Sequence, residues 1–135
     1  MAVVIDASVA IKWVLQETGS SAARNLALKE MLVAPDLLFV ECANVLWTKV
    51  RRKILSKPGA EAALAAIGKT PIRAVPLLPH LLTAQAIAFD LDQTVYDSLY
   101  LAVALAERSV LVTADEAFFR AAAVHPVYRS AIKRL

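Results

Sequence analysis

Short runs of β-branched and small apolar residues alternate with longer segments of helical periodicity along this chain. Four runs stand out, and they read AVVID (2–6), LVAP (32–35), PIRAVPL (71–77) and VLVTAD (110–115). Runs of this kind are typical of buried strands, and strands that alternate with helices form parallel sheets covered on both faces. The sequence therefore predicts an α/β fold, a single-domain α/β/α sandwich over residues 1–135 with a central, mainly parallel sheet.

The segments between these strands have helical patterning. Helices are predicted over 8–17, 20–31, 36–55, 56–68, 79–91, 94–108 and 116–124. Ser8 and Asp36 are assigned as N-caps, because short polar side chains accept hydrogen bonds from free amides at helix starts. The prolines in 71–77 indicate a strand at the sheet edge, and residues 127–135 either add a further edge strand or simply close the chain.

Composition excludes several classes of protein and site. Cys42 is the only cysteine, which rules out an intrachain disulfide and a cysteine-based zinc site. No apolar stretch approaches the roughly 18 residues of a membrane span, and no secretory signal is visible, so we expect a cytoplasmic protein without membrane association. Apolar residues make up 59% of the chain, which indicates that another chain covers part of the surface.

Four carboxylates stand at related positions next to the predicted strands. Asp6 and Asp115 come directly after strands, Glu41 lies early in the helix that leaves the second strand, and Asp97 lies in the first turn of helix 94–108. Ligands of open α/β sheets bind beyond the carboxyl ends of the strands, so we expect these acids to converge. Converging carboxylates repel one another unless a cation compensates them, and a donor set of oxygens alone suits Mg²⁺ or Mn²⁺. Such a site favours phosphodiester hydrolysis by activated water.

Helix capping is a simpler explanation for three of these acids. Asp is common at strand-to-helix junctions because it caps the following helix, and Asp6, Asp97 and Asp115 all occupy such junctions. Glu41 is different, since it interrupts an otherwise apolar helix face and a lone buried Glu is rare. The combined pattern favours a shared metal site over capping alone.

The sequence resembles the PIN-domain family, and in particular the VapC-type toxins of toxin–antitoxin pairs, over essentially its whole length. The resemblance rests on the motifs VVIDASV, APDLLFVECANVL, VYDSLYLAVALAE and LVTADEAF, of which the last two together are the most specific. It implies a metal-dependent ribonuclease with an α/β/α sandwich fold. Its acidic quartet matches Asp6, Glu41, Asp97 and Asp115.

The resemblance also implies roles and partners. The quartet would hold Mg²⁺ or Mn²⁺, with Glu41 completing the metal shell or orienting the attacking water. Ser8 and Thr113 would hydrogen-bond to the ligand carboxylates or to metal-bound water. Cleavage would leave a 5′-phosphate and a 3′-hydroxyl. The implied partners are a transfer or ribosomal RNA, a VapB-type antitoxin whose segment crosses the toxin's groove, and a second copy of the chain in a homodimer.

Three basic residues are candidates for contact with RNA. Lys12 follows Asp6 by about one and a half turns and could reach a phosphate, although a solvated helix face explains it as well. Arg51 and Arg52 end helix 36–55, where they complement the helix C-terminus and could also contact an RNA backbone. The formal net charge of +3 permits nucleic-acid binding without requiring it.

Two other functions remain open at this point. A non-catalytic RNA-binding or protein-interaction module on the same fold would be expected to lose acids, whereas all four are present. A phosphatase acting through an aspartyl intermediate would want two aspartates one residue apart after the first strand, where this chain has Asp6 and Ser8. Both alternatives fit the sequence less well than the metal-dependent nuclease.

Overall fold

Five parallel strands form one sheet in the computed structural model, which describes residues 2–135. The strands are β1 (Ala2–Ile5), β2 (Met31–Pro35), β3 (Ile72–Val75), β4 (Leu111–Thr113) and β5 (Ile132–Arg134). Their order is β3-β2-β1-β4-β5, and every neighbouring pair is parallel. The predicted α/β fold with a parallel central sheet is confirmed. The strand predicted at an edge, β3, lies there, and residues 132–134 form the other edge.

Helices cover this sheet in two groups. Between residues 2 and 135 they are α1 (Ala7–Val14), α2 (Ser20–Lys29), α3 (Leu37–Arg51), α4 (Lys57–Lys69), α5 (Leu81–Leu91), α6 (Val95–Ala106) and α7 (Glu116–Ala123). Helix α1 contacts α2, α3 and α4, whereas α5 packs on α6, and α6 in turn contacts β1, β2 and β4. Short 3-10 turns, Leu78–His80 and Arg129–Ala131, precede α5 and β5. None of the described helices is both long enough and apolar enough to span a bilayer.

Of the two predicted caps, one is wrong and the other has the predicted position without a side-chain hydrogen bond. Helix α1 is capped by Asp6, whose carboxylate accepts from the Val9 amide at 3.3 Å, so the assignment of Ser8 as the cap was wrong. The hydroxyl of Ser8 is instead committed to Asp6 itself. Asp36 stands at the start of α3 but makes no capping hydrogen bond with its side chain. Its backbone amide donates to the Val75 carbonyl at 2.9 Å, which ties the end of β2 to β3.

The strand order reverses between β1 and β4. From β1 the chain builds outward through β2 and β3, and it then returns to add β4 and β5 on the other side of β1. A crevice forms at the carboxyl ends of the strands where an α/β sheet reverses in this way. Ile5 of β1 pairs with Val112 of β4, so the residues that follow both strands meet at this crevice.

Helix α6 connects the core to the crevice. Its residues from Ser98 to Ala104 are all buried, and Asp97, one residue earlier, is half-buried. Thr94 caps the helix by accepting a hydrogen bond from the Asp97 amide at 3.1 Å. Packing and capping together therefore fix the position of Asp97.

Truncation of α6 in the core should destabilise the protein strongly. Leu101 is fully buried on α6, so Leu101→Ala should lower the free energy of unfolding by about 2–5 kcal/mol. Leu82→Ala makes the same change on α5 at a side chain that is 84% exposed, and it should cost less than about 0.5 kcal/mol. Urea denaturation of both variants measures the difference. Equal losses would contradict the central position of α6.

Candidate functional site

A pocket of about 620 Å³ lies at the carboxyl end of the sheet, and all four predicted acids line it. Asp6 follows β1 and Asp115 follows β4, while Glu41 comes from the second turn of α3 and Asp97 from the first turn of α6. The four residues come from four separate elements of the chain. The structure thus brings together the carboxylates that the sequence analysis expected to converge.

Hydroxyl groups hold Asp6 in place between the two central strands. Ser8 Oγ donates to one oxygen of the Asp6 carboxylate, and Thr113 Oγ1 donates to the other. The Ala114 amide donates to Ser8 Oγ at 2.9 Å, and the Asp115 amide donates to Thr113 Oγ1 at 3.0 Å. This network joins the residues after β1 to those after β4, and it places Ser8 and Thr113 against a carboxylate as the sequence analysis expected.

Tyr100 holds Glu41 and was not among the predicted site residues. Its hydroxyl donates to Glu41 Oε1. Tyr100 is 1% exposed, so burial and the hydrogen bond together fix it. One signal could have found it, because Tyr100 follows Asp97 by three residues and so lies on the same face of α6.

Burial raises the pKa of three of the acids. The pKa of Asp6 rises from 3.8 to about 6, mainly through desolvation, and the hydrogen bonds from Ser8 and Thr113 partly offset this rise. Asp6 retains some solvent contact along the pocket, but the surrounding protein is dense enough to disfavour its charge. Desolvation also raises the pKa values of Glu41 and Asp97.

Mutual repulsion adds to desolvation, and Asp97 is at the centre of it. The charge of Asp97 raises the pKa of Asp6 and that of Glu41, while the charge of Asp115 raises the pKa of Asp97. Among residues 2–135, the ion pairs are made by other side chains and none includes a member of this quartet. The four acids therefore form one electrostatic group without a cationic partner from the described part of the chain.

The donor set of this pocket fits Mg²⁺ or Mn²⁺ in chemistry. It offers the four carboxylates of the quartet, a fifth from Glu17 and nearby hydroxyls but no histidine, and Cys42 is buried outside the pocket lining. The described residues contain no ready-made group of three His, Cys, Asp or Glu side chains for one ion. The acids surround a common space instead of meeting at a point, so bound water or small side-chain shifts would have to complete a metal shell.

A model of the PIN domain matches residues 3–124, which is most of the chain. The chain belongs to the PIN-domain family. This membership confirms the resemblance seen in the sequence motifs. No curated protein matches the sequence closely enough to show a relationship.

Solved structures of low sequence identity share the fold of this PIN domain. PAE2754 from Pyrobaculum aerophilum has a TM-score of 0.74 at 22% identity, with 98% of this chain and 83% of that one covered. VapC20 from Mycobacterium tuberculosis, a sarcin–ricin loop cleaving toxin, has a TM-score of 0.69 at 16% identity, with 88% and 94% covered. VapBC2 from Rickettsia felis, bound to a promoter DNA fragment, has a TM-score of 0.65 at 13% identity, with 99% of this chain and 98% of that one covered.

The predicted RNA-contacting residues of this PIN domain lie in different places. Lys12 lines the pocket and is half-buried, so the solvated helix face considered for it is wrong. Arg51 and Arg52 are exposed beyond the pocket lining, and the Arg51 guanidinium lies 5.0 Å from the centre of the Trp47 ring. Lys49, two residues before Arg51, does line the pocket. Contact of Arg51 and Arg52 with RNA remains a prediction.

The raised pKa of Asp6 predicts how stability depends on pH in the absence of metal. The folded state binds this proton more tightly than the unfolded chain, so its contribution to stability is complete below pH 3.8 and is lost as pH rises through about 6. The free energy of unfolding should fall by about 1–3 kcal/mol over this pH range. In Asp6→Asn most of this fall should be absent. Urea denaturation in chelator across this pH range provides the measurement.

The matched control for this experiment is Asp92→Asn, at an exposed aspartate outside the pocket lining. This variant should keep the pH dependence of the original protein. A pH dependence that is unchanged by Asp6→Asn would show that the Asp6 carboxylate is not disfavoured by its surroundings.

Proposed function

We propose that this PIN domain is a metal-dependent endoribonuclease toxin of the VapC type, which hydrolyses RNA phosphodiester bonds with Mg²⁺ or Mn²⁺. The observation that carries the proposal is one pocket lined by acids from four separate elements of the chain, namely Asp6, Glu41, Asp97 and Asp115. The quartet thus faces one pocket as a single repulsive group. A divalent cation is the simplest partner for such a group.

Capping accounts for only part of the quartet. Asp6 accepts from the Val9 amide and Asp115 accepts from the Phe118 amide, so both do cap helices. Thr94, not Asp97, caps α6, and Glu41 lies in the second turn of α3 where no cap is needed. Two acids therefore remain in the pocket without a structural explanation, which favours a role in chemistry.

The four acids and the side chains that hold them have different parts in the proposed reaction. Asp6, Glu41, Asp97 and Asp115 would hold the metal, and Glu41 would complete its shell or orient the attacking water. Ser8 and Thr113 keep the Asp6 carboxylate fixed through their hydroxyls, and Tyr100 does the same for Glu41. A bound cation would make water a better nucleophile and neutralise charge on the phosphate. Attack by water would leave a 5′-phosphate and a 3′-hydroxyl.

The proposed substrate is a transfer or ribosomal RNA in the cytoplasm. This choice is supported by the likeness in fold to VapC20, which is described as a toxin that cleaves the sarcin–ricin loop. At 16% identity the likeness extends to the fold alone, so the proposal names a class of RNA and no particular molecule.

A second proposal concerns partner chains. The likeness in fold to VapBC2 supports a VapB-type antitoxin as the partner of this PIN domain, and we also propose a homodimer. Exposed apolar side chains are available for such contacts. On α3, Val40 is 66% exposed and lines the pocket, and Trp47 is 55% exposed two turns further on. Coverage of these side chains would account for part of the apolar excess of the sequence.

The main alternative is a non-catalytic RNA-binding or protein-interaction module on the same fold. It is favoured by one observation, namely that the described residues hold no preassembled group of metal ligands. The two functions differ in a simple way, because only the nuclease needs divalent metal to act on RNA.

Purified protein should cut RNA only when divalent metal is present. Total bacterial RNA in Mg²⁺ or Mn²⁺ should yield discrete fragments with 5′-phosphates, and chelator should prevent their formation. Asp97→Asn should reduce the cleavage rate on the order of 100-fold or more, because it removes the acid that interacts with all three others. Asp92→Asn, the control with the same change outside the pocket, should cleave like the original protein.

Intact RNA under these conditions, together with no metal binding by calorimetry, would contradict the proposed nuclease function and favour the interaction module. Cleavage that survives both chelator and Asp97→Asn would instead point to a contaminating nuclease or to chemistry outside this pocket. The mapping of fragment ends would also identify the RNA that is cut.

Expression of this PIN domain in bacteria should arrest growth, and a VapB-type protein encoded beside it should relieve the arrest. Relief is expected because the antitoxin would occupy the pocket, so the two chains should also co-purify and the complex should not cleave RNA. Asp97→Asn should permit growth and still co-purify with the partner. Growth arrest by Asp97→Asn equal to that of the original protein would show that toxicity does not come from RNA cleavage.

A further inference from the structure

Lys12 enters the acidic pocket but is held by groups outside the acidic quartet. Its ammonium lies 3.1 Å from Glu17 Oε1 and donates to the Thr18 carbonyl at 2.6 Å. The Lys12 side chain is only 15% exposed. Its ammonium is therefore anchored at one place on the pocket wall.

The loop that anchors Lys12 is itself fixed by a buried serine. Ser20 is 1% exposed, and its hydroxyl accepts from the Glu17 amide at 3.0 Å and donates to the Leu15 carbonyl at 2.9 Å. The Ser20 amide also donates to the Glu17 carbonyl at 3.1 Å. The backbone of Glu17 is thus held in place, and its carboxylate contacts the Lys12 ammonium.

Gly19 gives the aliphatic stem of Lys12 its space. It adopts a positive φ of 89°, and a Cβ placed on it would lie 3.3 Å from Lys12 Cδ and 3.4 Å from Cε. The Lys12 stem therefore runs against the bare Cα of Gly19. Both the position of the stem and the position of the ammonium are set by the segment from Glu17 to Ser20.

The geometry leaves this ammonium able to bind a ligand. A lysine ammonium has three N–H donors, and the Glu17 carboxylate and the Thr18 carbonyl take two of them. Among residues 2–135 the third donor has no acceptor, which leaves it for a ligand in the pocket that Lys12 lines together with the four acids. An anionic oxygen is the acceptor that such a fixed, partly buried ammonium binds best.

We propose that Lys12 binds a phosphate of the RNA strand in this pocket, and that Glu17, with Gly19 behind the stem, is the positioning residue that aims its ammonium. The ligand class in this inference rests on the proposed function. Glu17 acts here as an anchor, so its negative charge increases RNA affinity through Lys12 although it is itself repelled by RNA. That prediction is opposite in sign to what simple charge counting gives.

RNA binding by variants in an Asp97→Asn background tests this proposal without cleavage. The probe is a short, fluorescein-labelled, single-stranded oligouridylate in Mg²⁺, and anisotropy gives its dissociation constant over a range of salt. Lys12→Met should weaken binding about tenfold and lower the salt slope by about 0.7, the value for one phosphate contact to a single strand. Lys69→Met removes the same charge at an exposed lysine outside the pocket and should change neither quantity appreciably.

Glu17→Gln tests whether the Glu17 carboxylate positions the Lys12 ammonium or only neutralises its charge. It should weaken binding about threefold although it removes a negative charge, because the Lys12 ammonium would lose the carboxylate that anchors it. The matched control is Glu107→Gln, which removes the carboxylate from the Arg73–Glu107 ion pair, 2.8 Å long and outside the pocket lining. This control should leave the affinity unchanged or slightly raise it. Thermal melting of each variant checks that the fold is retained.

The other results separate the failure of this inference from that of the proposed function. Equal effects of Lys12→Met and Lys69→Met would overturn the phosphate contact while RNA binding by the parent protein stands. Tighter binding by Glu17→Gln would overturn its role as an anchor. No RNA binding by the parent would overturn the inference, and cleavage of total RNA by the protein without Asp97→Asn would then decide the function separately. Lys12-dependent binding in this background, together with no metal-dependent cleavage by the protein without Asp97→Asn, would support the inference and reject the nuclease.

Discussion

The parallel pairing of β1 with β4 is the constraint on which the rest of the site depends. Ile5 pairs with Val112, so the chain leaves both strands at the same edge of the sheet. Asp6 then lies within reach of the Thr113 hydroxyl, although 107 residues separate them in sequence. If β4 joined the sheet anywhere else, the hydroxyl network around Asp6 would have no partners and Asp115 would not share its pocket.

The acidic quartet makes the site costly to the folded protein when nothing positive is bound. Burial and mutual repulsion raise the pKa values of Asp6, Glu41 and Asp97, which means that their charged forms are disfavoured in the fold. Hydrogen bonds from Ser8, Thr113 and Tyr100 offset part of this penalty. A cation that binds these carboxylates would stabilise the folded state by the same interactions that serve the proposed chemistry.

The pocket combines two kinds of charge that are kept apart by separate anchors. The acids are fixed by hydroxyls and by the helices that carry them, whereas the Lys12 ammonium is fixed by Glu17 and a loop carbonyl. Lys12 forms its ion pair with Glu17, which does not belong to the quartet, so Lys12 does not neutralise the four acids directly. This arrangement lets one pocket hold a cation among carboxylates and still present a positive group to a polyanion.

The sequence by itself determined the order of strands and helices and the identity of the four acids. Local patterns carry that information, because β-branched runs, apolar periodicity and strand-to-helix junctions reflect which residues are buried nearby in the chain. Asp6, Asp97 and Asp115 could be found for this reason, and Glu41 could be found because it interrupts an apolar face. The edge position of β3 followed from its prolines in the same way.

Only the tertiary structure decided which of these elements meet. The place of β4 beside β1, the contact of Tyr100 with Glu41 across 59 residues of sequence, and the anchoring of Lys12 all depend on packing between distant segments. A hydrophobic pattern specifies that a face is buried without specifying what buries it, so the local sequence does not reveal the partners in such contacts. Ser8 shows the same limit at short range, since its position suits a helix cap. Its hydroxyl instead donates to Asp6 and accepts from the Ala114 amide, in the loop after the neighbouring strand.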